Sequence, residues 1–285
     1  MKILILGATG MLGNTVLGFL KQHEELEVYA TVRNHRVTNS NLEKFKNCIF
    51  TGINVENNDV LTKLFAQLRP DIVINCIGLI KQLPQAEDYL QAIPVNSLLP
   101  HRIAALCEAV GGRLIHISTD CVFSGKKGNY TENDIPDAKD LYGLSKLLGE
   151  VHHPHITLRT SIIGHESNNQ NSLVNWFLAQ QGSVKGFTRA IFSGLTTVEL
   201  ARVIYNFVLH RKDVNDLYHV SVEPIAKFDL LKIVKSVYKK DIEIIPSDEL
   251  IIDRSLNSER FQKVTGYRPP SWQELIERMY SFNNL

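Results

Sequence analysis

The chain has 285 residues, with 31 Lys and Arg against 30 Asp and Glu, and 44% of it is hydrophobic. A net charge of +1 provides no global field for holding a nucleic-acid backbone or an anionic membrane, and this apolar share excludes a disordered chain. The length suits one large domain or two unequal ones. Cys48, Cys76, Cys107 and Cys121 show no C-x-x-C spacing, so reduced thiols are expected rather than disulfides or a zinc site. The apolar run after Lys2 is too short for a signal peptide, and none approaches the ~20 residues of a bilayer span. A soluble, cytoplasmic protein is expected.

In chain order, Lys2–Leu6 is a continuous apolar run and reads as a strand. It enters Gly7-Ala8-Thr9-Gly10-Met11-Leu12-Gly13, and Met11–Leu20 follows with Leu12, Val16, Leu17 and Leu20 on one helical face. A glycine triplet between strand and helix is the context of a dinucleotide site. Gly7 permits the tight turn, Gly10 lets the backbone approach a pyrophosphate, and Gly13 lets the helix pack on the strand. With amides and positive potential at the helix start, Gly7, Thr9, Gly10, Met11, Leu12 and Gly13 form the candidate phosphate loop. The second strand, Glu27–Val32, ends without the acid that an NAD site sets against the ribose 2′-hydroxyl. Arg33 stands there and suits a 2′-phosphate, favouring NADPH while leaving NAD open. Asn54 and Val55 are placed to meet the adenine. Val60–Leu68 reads as a helix, Asp71–Ile77 as a strand, Asn96–Val110 as a helix and Arg113–Ser118 as a strand. Pro70 and Gly111-Gly112 mark the stops between them. Strands apolar on both faces, alternating with helices, predict a Rossmann-type doubly wound parallel sheet.

Strand Arg113–Ser118 runs into Thr119, whose hydroxyl can polarise a substrate carbonyl at the ligand crevice; Ser118 and Thr119 also suit a turn cap. Tyr142 and Lys146 stand at i and i+4, sharing one helical face. An ammonium beside the phenol is expected to lower its pKa. His152, His153 and His155 flank Pro154 and read as a solvated turn, whereas His116 reads as a satisfied core histidine. Pro154 requires the preceding helix to end early. Ser167–Asn171 is a polar loop. Helices are expected at Asn175–Gln181, Val198–Leu209, Phe228–Tyr238 and Trp272–Met279, with strands at Leu217–Val222 and Ile242–Ile245. Residues 1–160, completed by about 195–222, are expected to form the dinucleotide domain, with 161–194 and 223–285 as a smaller C-terminal α/β substrate-binding portion.

Together these segments resemble the extended short-chain dehydrogenase/reductase family, and most of all its dTDP-4-dehydrorhamnose reductase branch. The resemblance runs through the phosphate loop, Asp71–Gly78, Val95-Asn96, Ile117–Gly125, the Tyr-x-x-x-Lys pair, Leu158–Gly164, Tyr218–Ser221 and Gly266–Trp272. It implies an NADPH-dependent reductase of a nucleotide-activated 4-keto-deoxysugar, in polysaccharide biosynthesis. Thr119, Tyr142 and Lys146 fall on the catalytic triad. Tyr142 would protonate the alkoxide, Lys146 would hold the nicotinamide ribose, and Asn96 would support the lysine. Cys76, Ile77 and Gly78 would pass beside the cofactor ribose. Trp176, Arg189 and Ser193 are candidates for contact with the nucleotide-sugar.

Three departures stand out. Cys121 replaces the tyrosine that can touch the sugar in these reductases. Asp120-Cys121 lacks the glutamate that 4,6-dehydratases carry after the threonine. The early helix end alters a face that often forms dimers in the family, which leaves a homodimer open. Two other functions stay open on the sequence: a nucleotide-sugar epimerase, and an NADP-binding regulatory subunit without turnover.

Overall fold

The computed structural model describes residues 1–36, 40–166 and 171–283, so the expected loop over 167–171 lies outside the described residues except for Asn171. Seven strands make one parallel sheet: β1 (Lys2–Leu6), β2 (Glu27–Thr31), β3 (Ile49–Phe50), β4 (Ile72–Asn75), β5 (Arg113–Thr119), β6 (Ile156–Thr160) and β7 (Asp216–His219). Their spatial order is β7-β6-β5-β4-β1-β2-β3. The order reverses between β1 and β4, and a crevice opens at such a switch point beyond the carboxyl ends of the strands. Register sets Leu6 of β1 against Thr31 on one side and Asn75 on the other, so Gly7 emerges at that opening.

The main helices are α1 (Met11–Leu20), α2 (Asn58–Leu68), α3 (Leu99–Val110), α4 (Leu141–Leu148) and α5 (Thr197–Val203). Alternation along β1 sends Ile3 and Ile5 into a core shared with α1 and α5, and Leu4 and Leu6 into one shared with α2 and α3. Both faces are therefore covered, which is why the strands carry no polar alternation. The helix expected from Asn96 begins as a π-helical turn, Ile93–Leu98, before α3. Pro100 has no N–H to offer the carbonyl of Asn96 and its ring crowds that oxygen, so the regular ladder cannot form there. The helix expected over Val198–Leu209 is α5 followed by a second π-helical turn, Ile204–Val208.

α4 ends at Leu148, before Pro154 as the proline required, but the residue that ends it is Gly149. A Cβ there would lie 2.0 Å from the freed Asn96 carbonyl oxygen. β6 escapes a reading by hydrophobicity because ITLRT includes two threonines and an arginine, yet all five residues are buried. Its polar groups are satisfied inside: Thr157 exchanges hydrogen bonds with the backbone of Val151, and Arg159 pairs with Glu150.

β7 and α5 lie beyond residue 160 and join the doubly wound half. β7 pairs with β6, and Thr197 of α5 meets Thr15 of α1 at 3.1 Å between hydroxyl oxygens. Among the described residues the rest of the chain carries three small sheets, one of them pairing Ile162–Ile163 with Leu195–Thr196. Ser183–Phe187 pairs with Glu243–Ser247, and Ala190–Phe192 lies between Ile225–Ala226 and Ile252–Asp253. Helices Leu173–Ala179, Lys227–Val237 and Trp272–Asn283 fall within a few residues of expectation, while Glu259–Thr265 and the short strands from 183 to 192 carry too little periodicity to be read.

The histidine turn differs from its expectation. His152 is exposed and pairs with Asp216 at 2.7 Å, but His155 is buried, accepting the Leu114 amide at Nδ1 and facing Glu108 at 3.2 Å. His116 is only half satisfied: Nδ1 meets the Asn75 amide, and Nε2 has no partner among the described residues. Among the described residues no helix is long and apolar enough to cross a membrane. Gly149→Ala is expected to cost about 1–3 kcal/mol of stability through overpacking against Asn96, measured by urea denaturation.

Candidate active site

The three loop glycines answer to different demands. Gly7 has φ +88°, and a Cβ on it would lie 2.7 Å from Ile77 Cγ1. A Cβ on Gly13 would lie 2.2 Å from the Gly7 carbonyl oxygen. Gly10 has an ordinary φ of −77°, and the nearest atom to a Cβ on it is 3.5 Å away. The protein thus needs glycine at 7 and 13, whereas the glycine at 10 leaves exposed room over the start of α1. No side chain caps that helix start, so its first amides face the room, which fits a dinucleotide pyrophosphate. The Ala8 amide donates to the Thr31 carbonyl at 3.0 Å and the Gly7 amide to the Thr31 hydroxyl at 3.3 Å. These bonds hold the loop beside the end of β2, where Arg33 is exposed. Val55 is packed in the core, and Asn54 uses its side-chain oxygen to accept the Glu56 amide. Gly164 closes in on the same helix: a Cβ there would lie 3.2 Å from Met11 Cγ.

The end of β5 and the start of α4 are brought together by another glycine. A Cβ on Gly143 would lie 2.4 Å from the Cys121 carbonyl oxygen, so only glycine lets α4 approach the turn Asp120–Val122. Asp140 caps α4 by accepting the Gly143 amide at 2.8 Å. Thr119 caps the turn, accepting the Cys121 amide at 3.1 Å, and donates its hydroxyl to Asp120 at 3.1 Å. The half-buried Tyr142 lies beside Thr119, and Lys146, one turn further, is buried with Nζ donating to the Ile117 carbonyl at 2.8 Å. Burial brings the Lys146 ammonium down to about 8.

Tyr142 departs from its expectation. Its pKa is raised, first by burial and then by Cys121, with Asp120 and Asp140 adding to the rise and the Thr119 hydroxyl opposing it. Lys146 directs its proton to a backbone carbonyl, so it does not draw the phenol down. Tyr142 is therefore a protonated acid across the physiological range. The Asn96 side chain accepts the Leu79 amide at 2.8 Å, and donates to the Leu79 carbonyl at 3.3 Å and Ser145 at 3.1 Å, with no direct bond to Lys146 among the described residues. It thereby fixes the chain leaving β4. A Cβ on Gly78 would lie 3.4 Å from Asn96 Oδ1 and 3.7 Å from Lys146 Nζ. Cys76 and Ile77 complete that exit, tied by amide bonds to Leu6 and Asn75.

On the substrate side, burial pushes the Cys121 thiol up to about 12, so it is uncharged. Burial raises the Asp120 carboxyl while Arg254 pulls it back. Lys81 pairs with Asp140 at 2.8 Å. Arg254 comes from the C-terminal portion and donates to the Phe123 carbonyl at 2.8 Å. Asp140 was readable as a helix cap before Leu141, but nothing local marks Lys81 or Arg254. Trp176 is 37% exposed on Leu173–Ala179, and Arg189 is exposed. Ser193 is buried and accepts the Leu256 amide, so it serves the packing of the C-terminal portion.

The family described as RmlD substrate binding domain matches residues 1–283. The chain belongs to the RmlD substrate binding domain family. It is 24% identical to the dTDP-4-dehydrorhamnose reductase of Aggregatibacter actinomycetemcomitans, over 99% of each chain. It is 30% identical to methionine adenosyltransferase 2 subunit beta of Danio rerio, but over 52% of this chain and 42% of that one. In fold it is similar to the dTDP-4-dehydrorhamnose reductase of Bacillus anthracis solved in complex with NADP, with a TM-score of 0.80, 23% identity and 98% of each chain covered. The similarity to both reductases spans the RmlD-family chain from end to end, including the C-terminal portion that supplies Arg254.

Gly10→Ala is expected to melt with the wild type while weakening NADPH binding about tenfold or more, a change of about 1.4 kcal/mol or more. Fluorescence titration and thermal denaturation check the pair of results.

Proposed function

We propose that the protein is an NADPH-dependent reductase of a nucleotide-activated 4-keto-deoxysugar, of the dTDP-4-dehydrorhamnose reductase kind, feeding polysaccharide assembly. The observation that carries this reading is Tyr142, held protonated beside Thr119 and one turn from the buried Lys146, next to an open phosphate loop. When bound, the nicotinamide supplies hydride to the carbonyl carbon. Gly10 and the start of α1 hold the pyrophosphate, and Arg33 meets the 2′-phosphate. Cys76, Ile77 and Gly78 line the ribose, with Lys146 donating to it. Thr119 turns its hydroxyl to the keto oxygen, and Tyr142 gives that oxygen its proton, yielding the alcohol. A neutral phenol is the state that reduction requires.

Residues 161–194 and 223–285 form the substrate-binding portion in this reading, with Arg254 reaching the rim beside Asp120. Trp176 flanks the sugar from its helix. Cys121 leaves room where related reductases carry tyrosine. The four free thiols suit the cytoplasm. Exposed Leu144 and Leu148, one turn apart on α4, support a homodimer through that face.

The test is NADPH oxidation against a panel of dTDP-, UDP- and GDP-4-ketosugars. Tyr142→Phe is expected to lose about 100-fold or more in turnover with NADPH binding retained; wild-type protein inactive on every sugar defeats the reading. Arg33→Ala is expected to weaken NADPH about tenfold while sparing NADH. Lys146 carries its proton below about 8 and loses it above, so kcat/KM is expected to fall as pH rises through that value.

A further inference from the structure

Behind the candidate triad lies a buried ion pair that the reaction does not use. Glu150 and Arg159 are 4% and 5% exposed at their side chains. Glu150 Oε1 accepts from Arg159 Nε at 2.7 Å and from the Ser118 hydroxyl at 2.6 Å, and Oε2 accepts from Arg159 Nη2 at 2.7 Å. The remaining Arg159 nitrogen faces His219 Nε2 at 3.3 Å, and the guanidinium lies 5.4 Å from the centre of the Phe123 ring. A buried pair is a poor source of stability compared with apolar packing, so its position is the informative feature.

Three successive residues of β5 are each held from outside the strand. The Ile117 carbonyl takes Lys146 Nζ, the Ser118 hydroxyl is gripped by Glu150, and Thr119 caps the turn next to Tyr142. Glu150 also follows Lys146 by four residues, just past the end of α4. The titratable groups that act on Lys146 or feel its charge are Glu150 from its own run of chain and His116 from β5, with Tyr142 one turn before it on α4. Tyr142 and His116 are neutral, and Gly78 and Asn96, from the other elements packed there, carry no charge. Among these groups Glu150 is the anion, acting on Lys146 through space with no ion pair between the two among the described residues.

We propose that Glu150 is a positioning residue for the reaction: clamped by Arg159, it pins the end of β5 through Ser118 and supplies the negative charge on that side of Lys146. The proposal rests on the reading that Thr119, Tyr142 and Lys146 carry the chemistry. Burial alone drives Lys146 toward the neutral amine, and Glu150 opposes that drive. Arg159 holds the carboxylate by two parallel bonds, which fixes where its charge sits.

Glu150→Gln alone strands a buried guanidinium, so the decisive variant is Glu150→Gln with Arg159→Met. NMR titration of ligand-free, 13C-lysine-labelled protein, with the Lys146 signal assigned from Lys146→Arg, reads the amine directly. The double variant is expected to lower the Lys146 midpoint by about half a pH unit or more, with the high-pH limb of NADPH binding moving alongside. Glu150→Asp, which keeps the charge, is expected to hold the midpoint near that of the wild type. Ser118→Ala, which keeps both charges, is expected to leave the midpoint alone but lower kcat about fivefold or more at unchanged NADPH KM. A folded double variant with the wild-type midpoint overturns the proposal, and so does Ser118→Ala with wild-type kcat. If the double variant does not fold, Glu150→Asp and Ser118→Ala decide: a displaced midpoint in either, or unchanged kcat in Ser118→Ala, overturns it. The titration needs neither cofactor nor sugar, so wild-type protein that fails to bind NADPH defeats the proposed function while the Lys146 result stands.

Discussion

Helix α4 must press against the carboxyl end of β5 for the candidate site to exist, and the contact leaves no room for side chains. Gly143 meets the Cys121 carbonyl at one end of the helix, and Gly149 meets the Asn96 carbonyl at the other. Tyr142, next to the first contact, and Lys146, between the two, are carried over the strand end, where Thr119 and the Ile117 carbonyl receive them. The second contact has a cause elsewhere in the chain. Pro100 frees the Asn96 carbonyl by breaking the ladder, and the resulting π-helical turn turns the Asn96 side chain toward Leu79 and Ser145. One proline and two glycines thereby connect α3, α4 and the exit of β4 into one seat at the carboxyl edge of the sheet.

The electrostatics of that seat follow from burial more than from pairing. Lys146 and Tyr142 both lose water, and the loss moves them in opposite directions: the ammonium down, the phenol up. Each shift favours its neutral form. A site with a neutral phenol is suited to donating a proton, which is the requirement of carbonyl reduction. The carboxylates nearby, Asp120 and Asp140, add to the rise in Tyr142 and are themselves balanced by Arg254 and Lys81. Local charges of this kind are why a chain of near-zero net charge can still receive an anionic ligand.

Much of the fold was legible because its strands are apolar on both faces and its helices repeat on one. Lys2–Leu6 and Met11–Leu20 were read to the residue, and the loop between them followed from its glycines. β6 was not legible, because Thr157 and Arg159 interrupt the apolar run and are satisfied only by Val151 and Glu150. The short strands of the C-terminal portion were not legible either, since two or three residues carry no period. In the site, Thr119, Tyr142 and Lys146 were singled out and the structure brings them together. Trp176 and Arg189 keep exposed surface, and Ser193 turns inward to the Leu256 amide.

By itself the sequence determined the doubly wound half of the molecule, the position of the glycine loop after β1 and the spacing of the tyrosine and lysine. Each of these is local: a run of apolar residues, a glycine at a turn, two side chains one helical turn apart. Only the tertiary structure decided the protonation state of Tyr142, the bonds of Asn96 and the arrival of Arg254 at the rim. Those depend on what surrounds a group once water is excluded. Residues 131 positions apart in the chain, such as Phe123 and Arg254, become neighbours through packing alone. The same reason applies to Glu150 and Arg159, which read as an ordinary acid and base in sequence and become a buried clamp behind β5 in space.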